Sequence, residues 1–314
     1  MRTLGLDTSN YTTSAAVFDG QTGRNAGKLL EVKPGEKGLR QSDALFQHVK
    51  ALPDRVEELK EGGLLSDIAA VAASTRPRAV EGSYMPCFLA GESLGRSLAA
   101  TLDVPFFAVS HQQGHLAAAA WSAGRMDLLD SPFLAWHLSG GTTELLYVEP
   151  EGPNVKAERM GGTTDISAGQ LIDRAGVLLG LNFPAGKALD ELAQGCTDRP
   201  KPFKVKVNGL EFSLSGIENQ VRDMVQKGEP PQRVAAFVLD TVADLIRRTT
   251  QEAQSRYPGL PLLCSGGVAS NTRLRAVLTK FCGAIFAESR YSTDNALGVA
   301  ILAHRLGGNE KEEG

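Results

Sequence analysis

The chain has 314 residues, enough for one large domain or two of ordinary size, each with its own core. It is 42% apolar and 22% charged, which excludes a disordered chain. Its formal charge of −3 excludes a generally polycationic nucleic-acid binder and leaves a local basic patch open. The cysteines, Cys87, Cys196, Cys264 and Cys282, have no C-x-x-C spacing, so they read as reduced thiols, not as a disulfide framework or a zinc site. "MRTLGLDTSN" is too polar for a secretory signal, and no apolar run approaches the roughly 20 residues of a membrane span. The expected location is the cytoplasm, with no membrane contact.

In chain order, "LGLDTSNYTTSAAV" (Leu4 to Val17) reads as a strand, a small polar turn with a Thr-Thr pair, and a second strand. Leu45, Phe46, Val49, Val56 and Leu59 then recur with a helical period. "DIAAVAAS" (Asp67 to Ser74) and "PFFAVS" are short apolar runs ending in small polar residues, as buried strands feeding loops are. "AVSHQQGHLAAAA" (Ala108 to Ala120) follows, with His111 and His115 four residues apart. On a helix the two imidazoles project from one face and can reach one ion. The spacing equally fits two surface or packed histidines.

"LAWHLSGGTTELLYV" (Leu134 to Val148) repeats the strand–turn–strand pattern of the first segment. Two such tips, offering backbone N–H groups and hydroxyls, suit the phosphates of a nucleotide held from both sides; chance similarity of two hairpins is the alternative. Asp173 lies in "GQLIDRAG", a helical stretch where a carboxylate is ordinarily solvated. A long helix carrying Val234, Phe237, Val238, Val242 and Leu245 is predicted between Pro230-Pro231 and Gly259. "PLLCSGG" is a further strand, and "CSGGVASN" (Cys264 to Asn271) is a Gly-rich turn between it and a helix, suited to a phosphate or adenosine contact. It is neither a P-loop nor a Rossmann turn. Asn271 caps the helix "TRLRAVL", and Asp294 in "YSTDNALG" suits a helix N-terminus. The alternation of strands and helices predicts an α/β protein.

Taken together these segments resemble the TsaD family, the threonylcarbamoyl transferases once called O-sialoglycoprotein endopeptidases. The resemblance is carried by "LGLDTS", "VSHQQGHLAA", "LSGGTTEL", "DISAGQLIDRAGVLLGLNFPAG", "EFSLSGIENQV", "CSGGVASNTRLR" and "STDNALGVA", in order from Leu4 to about Leu306. It implies two actin-like (ASKHA, ribonuclease H-like) lobes around a nucleotide cleft. The expected lobes are residues 1–110, with a helix at 292–308 packing back, and residues 111–291, with a solvated tail at 309–314. The resemblance implies metal ligation by His111, His115 and Asp294, with iron or zinc as the divalent ion. It places the phosphate loop on Ser139, Gly140, Gly141 and Thr142, and the nucleoside on Asp173, Gly186, Asp190, Gly266, Gly267 and Asn271. The resemblance implies catalytic roles for Asp7 and Thr12, which stand in the loop that carries the family's catalytic acids. The implied ligand is ATP or threonylcarbamoyl-adenylate, the acceptor is adenosine 37 of tRNA, and the implied protein partner is TsaB-like.

A zincin peptidase needs His-Glu-x-x-His, and here the position of the glutamate is Gln112, which gives the peptidase label no support. The sequence also departs from the family's pattern. Tyr11 and Thr12 replace two acids, Thr142 replaces a histidine, and Gln113, Ile166 and Gln170 replace further acids. Carboxylates and an imidazole have given way to neutral groups, which opens a rival reading: a non-catalytic or regulatory paralogue that binds a nucleotide and acts through protein partners. Two basic stretches complete the candidates. Arg199, Lys201, Lys204 and Lys206 beside Phe203 suit either the tRNA backbone or a solvated hairpin. Arg76 and Arg78 suit an anionic group or plain exposure.

Overall fold

The computed structural model describes residues 1–9, 11–32, 39–291 and 296–309. They fold as two units. In the first, β1 (Arg2–Asp7), β2 (Thr12–Phe18) and β3 (Gly23–Leu29) form an antiparallel meander. Helix α1 (Gln41–Glu61), β4 (Ile68–Arg76), α2 (Phe88–Leu102), β5 (Phe106–Ser110) and α3 (His111–Ser122) follow. Among the described residues the strand order is β3-β2-β1-β4-β5, with β4 and β5 parallel to β1. The first predicted hairpin is present, Leu4 pairing with Val17 and Asp7 with Ser14. β4 and β5 are the two predicted apolar runs. Both return through helices, as parallel strands require.

The predicted α1 forms, and of its periodic apolar residues Leu59 is buried and Val56 packs against the core. Phe46 and Val49 are 64% and 56% exposed, and Ala44, His48 and Leu52 complete the buried stripe. The inward stripe accepts a histidine because His48 Nδ1 hydrogen-bonds Thr13 Oγ1 at 2.8 Å, which offsets its desolvation.

The second unit holds β6 (Phe133–Leu138), most of β7 (Thr143–Glu151) and β8 (Asn154–Thr163), with α4 (Ala168–Leu178) and α5 (Gly186–Gln194). It continues with β9 (Val207–Asn208), β10 (Glu211–Phe212), α6 (Ser215–Gln226), α7 (Pro231–Arg256), β11 (Leu262–Ser265), α8 (Thr272–Cys282) and β12 (Ile285–Phe286). Its strand order among the described residues is β12-β11-β6-β7-β8-β10-β9. The second predicted hairpin is β6–β7, with Leu138 opposite Thr143. Helix α7 starts at Pro231, as predicted, and buries Val234, Phe237, Val238, Val242 and Leu245 against α5 and α8. Trp136, the largest buried side chain, donates its indole N–H to Thr250 Oγ1 at 2.8 Å, so its polar edge is satisfied inside the core.

Helix α9 (Leu297–Asn309) belongs to the first unit and lies on β1 and α3. Glycine permits the approach: a Cβ on Gly298 would stand 1.8 Å from the Gly114 carbonyl oxygen, and one on Gly5 would stand 2.4 Å from the Ala300 amide nitrogen. The first unit comprises Met1–Ser131, Glu149–Ala157 and Thr293–Gly314, so α3 lies within it and the division falls at Pro132, whereas the sequence reading set it after residue 110. The reason is packing, since the alanine face of α3 is buried and α3 packs on α9.

The second unit contains a carboxylate cradle that fixes the start of α6. Asp165 accepts from the Ser213 hydroxyl and from the amides of Leu214 (2.8 Å) and Ser215 (3.2 Å). Burial opposes ionisation there, but the Ser213 hydroxyl and these amides outweigh it and hold the carboxyl well below the ordinary 3.8. A depressed folded-state value means that the stabilisation is complete above the unfolded value and is lost as pH falls through the folded one. Asp165→Asn is expected to cost about 1 kcal/mol, the size of a lost helix cap. Urea unfolding should show a constant gap between variant and wild type at neutral pH, shrinking below about pH 4.

Cys87, Cys196, Cys264 and Cys282 form no disulfide, and Cys87, Cys264 and Cys282 are buried. Burial pushes the Cys282 thiol up to about 11 and Cys264 higher still, so these are inert core thiols. Among the described residues no helix is long and apolar enough to cross a membrane.

Candidate functional site

In the first unit, β5 ends at Ser110 and α3 begins at His111. Ser110 is the N-cap of a capping box: its hydroxyl accepts from the Gln113 amide, and Gln113 Oε1 accepts from the Ser110 amide at 2.8 Å. This fixes the first turn and aims both histidines to one side, so that the two Nε2 atoms stand 2.9 Å apart. Behind them lies Asp7, at the end of β1, with Oδ2 2.8 Å from His111 Nδ1. Asp7 Oδ1 accepts from the Ser9 amide at 2.8 Å and the Ser74 hydroxyl at 2.9 Å. Gly114, between the histidines, carries the close approach of α9 at Gly298.

The two Nε2 atoms share a hydrogen bond, and two imidazoles, one of them backed by a carboxylate, are donor types that zinc or ferrous iron takes. Among the described residues no third His, Cys, Asp or Glu completes a metal-holding group. Asp294, the third expected ligand, lies outside the described residues. Thr12 opens β2 and donates its amide to the Ser9 carbonyl at 3.2 Å, and Tyr11 is exposed.

In the second unit, the β6–β7 tip is closed by the Ser139 amide on the Thr142 carbonyl (2.8 Å) and the Thr142 amide on Ser139 Oγ (3.0 Å). Gly140 and Gly141 have open space where a side chain would be. The N-terminus of α4 packs beneath this turn, because a Cβ on Gly169 would stand 2.5 Å from Gly140 Cα. Ser167 caps α4 and donates its hydroxyl to the Gly140 carbonyl at 2.6 Å. Gly266 closes the other side: its φ is +95°, and a Cβ would stand 2.2 Å from the Leu138 carbonyl oxygen. A glycine turn over a helix N-terminus offers N–H groups and a favourable dipole to an anion.

Beside it is a cleft of about 420 Å3, lined by Gly140, Gly169, Ile172, Asp173, Pro184, Gly186, Lys187, Asp190, Gly267, Val268, Ser270 and Asn271. The volume is within the range of small-molecule sites. Six residues expected from the sequence meet here: Gly140, Asp173, Gly186, Asp190, Gly267 and Asn271. Asp173 Oδ1 accepts from the Ala185 amide at 2.8 Å and so holds the loop that leads to Gly186. Asn271 caps α8 through the Leu274 amide, and Asp190 accepts from the amide and hydroxyl of Thr272, so both brace the helix as well as lining the cleft. Ser139, Gly141, Thr142 and Gly266 shape the adjoining turns. Gly169 and Ile172, unforeseen, also line the cleft; Gly169 stands four residues before Asp173 on α4, and that helical spacing is the signal that finds it.

The replaced acids have structural occupations. Gln113 is buried, with Nε2 donating to the Val155 carbonyl at 2.7 Å, a bond that a carboxylate cannot donate. Gln170 completes the capping box of α4 with Ser167. Ile166 packs against the core. In the basic stretch, Arg199 pairs with Asp240 at 2.9 Å, and this partner raises its pKa despite burial. Arg199 therefore belongs to the core's edge, while Lys201, Lys204 and Lys206 are exposed. Arg76 is exposed at the end of β4, and the Arg78 amide donates to Ser83 Oγ.

Solved structures place the class. HypF, in its phosphate- and nucleotide-bound form, superposes with a TM-score of 0.63 at 15% identity, covering 99% of this chain and 56% of its own. Component A of the Acidaminococcus fermentans (R)-2-hydroxyglutaryl-CoA dehydratase gives 0.56 at 15% identity, covering 98% and 99%. The ROK hexokinase from Thermus thermophilus gives 0.52 at 17%, covering all of both chains. The fold of this chain is the one these structures share, the actin-like ASKHA fold. The TsaD family, described as tRNA N6-adenosine threonylcarbamoyltransferase, matches residues 33–301. The protein of that name from Granulibacter bethesdensis is 34% identical, covering 96% of this chain and 88% of its own. The chain belongs to the TsaD family.

Proposed function

We propose that the protein transfers a threonylcarbamoyl group from an adenylate to the exocyclic amine of adenosine 37 in tRNA. Family membership across most of the chain carries this reading. The local geometry supports its parts. The cleft of the second unit has the volume, the glycine turn and the carboxylates for an adenosine nucleotide, with Asp173 and Asp190 suited to ribose hydroxyls and Gly186 leaving room for the sugar. The Gly140–Gly141 turn at the N-terminus of α4 suits phosphate. His111 and His115, with Asp294 as the expected third ligand, would hold one divalent ion, iron or zinc. Such an ion supplies charge for phosphate oxygens and a Lewis acid for the carbamoyl carbonyl.

The protein's own groups do the rest: they orient the nucleoside, anchor the phosphates and present the histidine nitrogens. The capping roles of Gln113 and Gln170 weaken the case for a non-catalytic paralogue, because an amide fills the N3 position of a capping box as well as an acid does. A TsaB-like protein is the expected partner and tRNA the expected acceptor, with exposed Lys201, Lys204 and Lys206 available to phosphate. The experiment is replacement: cells depleted of their own family enzyme receive this chain, and their tRNA nucleosides are measured by mass spectrometry. Threonylcarbamoyladenosine should return with wild type and not with Asp173→Ala. Its absence with folded, expressed wild type contradicts the proposal.

A further inference from the structure

We infer that Asp7 is a positioning residue for His111: its carboxylate fixes the ring with the proton on Nδ1 and the Nε2 lone pair turned toward His115. The inference rests on reading the histidine pair as a metal grip and adds how the grip is held ready. Asp7 is 1% exposed and stands 104 residues from His111 in sequence, brought to it by the end of β1. Its Oδ1 takes the Ser9 amide and the Ser74 hydroxyl, and its Oδ2 takes His111 Nδ1. Both oxygens are engaged by protein donors, and Oδ2 is the one that reaches His111. An ionised carboxylate only accepts, so Nδ1 must donate. Nε2 is then left unprotonated, which is the state a metal needs, and it is the atom that faces His115 Nε2.

The Ser9 amide makes the arrangement directional. A backbone N–H cannot become an acceptor, so the atom opposite it must be oxygen. In Asp7→Asn the single amide oxygen is committed to Ser9, and the NH2 group faces Nδ1. Nδ1 must then accept, the proton moves to Nε2, and the lone pair aimed at the ion is lost. Ser74→Ala removes one support and leaves the carboxylate, so it keeps the wild-type tautomer.

The test uses the full chain labelled with 15N-histidine and freed of metal. The 15N shifts of His111 should report a protonated Nδ1 in wild type and in Ser74→Ala, and a protonated Nε2 in Asp7→Asn. Cobalt(II) titration should show affinity lowered about 10–100-fold in Asp7→Asn, the usual cost of losing such a support. ATP affinity measured without metal should be unchanged. A wild-type His111 protonated on Nε2 overturns the inference without recourse to any variant, as does Asp7→Asn with unaltered tautomer and cobalt affinity. Wild type that shows the Nδ1 proton but binds no cobalt overturns the metal reading and leaves the positioning role standing.

Discussion

His111→Ala should lower threonylcarbamoyl transfer by about 10^3-fold or more, because it removes a ligand of the ion whose Lewis acidity supplies several kcal/mol to the reaction. His115→Ala should match it, and the double variant should be little worse than either, since one ion is lost in each case. The fold should tolerate all three: both side chains lie partly exposed on the first turns of α3, whose capping box and buried alanine face remain. The measurement is the rate of adenosine modification with saturating nucleotide, beside ATP affinity. Measured without added metal, ATP affinity should change little, because the cleft residues belong to the second unit. A variant retaining most of its transfer rate would show that the pair is ordinary packing.

Gly298→Val should destabilise the first unit by about 3 kcal/mol or more. The added Cβ would meet the Gly114 carbonyl oxygen at 1.8 Å and Gly114 carbon at 2.6 Å, both backbone atoms that cannot swing away. Helix α9 would have to lift from α3 and β1, and with it the buried Leu297, Val299, Ile301 and Leu302. Gly308→Ala, on the same helix with open space at its Cβ, is the control and should be near neutral. Urea unfolding followed by circular dichroism checks both. An unchanged midpoint in Gly298→Val would mean that the helices do not cross at glycine contact.

The sequence reading reached the large elements because their signals are local. Both strand–turn–strand segments carry alternating apolar pairs around a polar tip, and both are hairpins. Pro231 marked the start of α7 by its fixed φ and missing N–H. Helix α1 was legible as a helix but not in all of its buried stripe: Phe46 and Val49 are apolar and exposed, while a histidine is buried. Thr13, which hydrogen-bonds that histidine, lies on β2, so no pattern within α1 encodes the burial.

At the candidate site, His111 and His115 were legible because helical spacing alone brings them together. The cleft residues were reached through the resemblance, residue by residue. Asp7 was read as a catalytic group because its loop position suggested it; its contact with His111 joins β1 to α3, and no local pattern encodes that. Gln113 and Gln170 are the instructive case. Read against the family they were missing acids, yet "SHQQ" and "SAGQ" each hold the S-x-x-Q signature of a capping box. That signal is local, and it accounts for both amides without reference to any relative.

Elemental analysis of the purified protein after loading with iron or zinc and desalting tests the central claim most directly. Wild type should retain about one ion per chain, and His111→Ala and Asp294→Ala should each retain essentially none while still binding ATP. Wild type that binds ATP yet holds no iron or zinc, or a His111→Ala protein that keeps its full complement, contradicts the account.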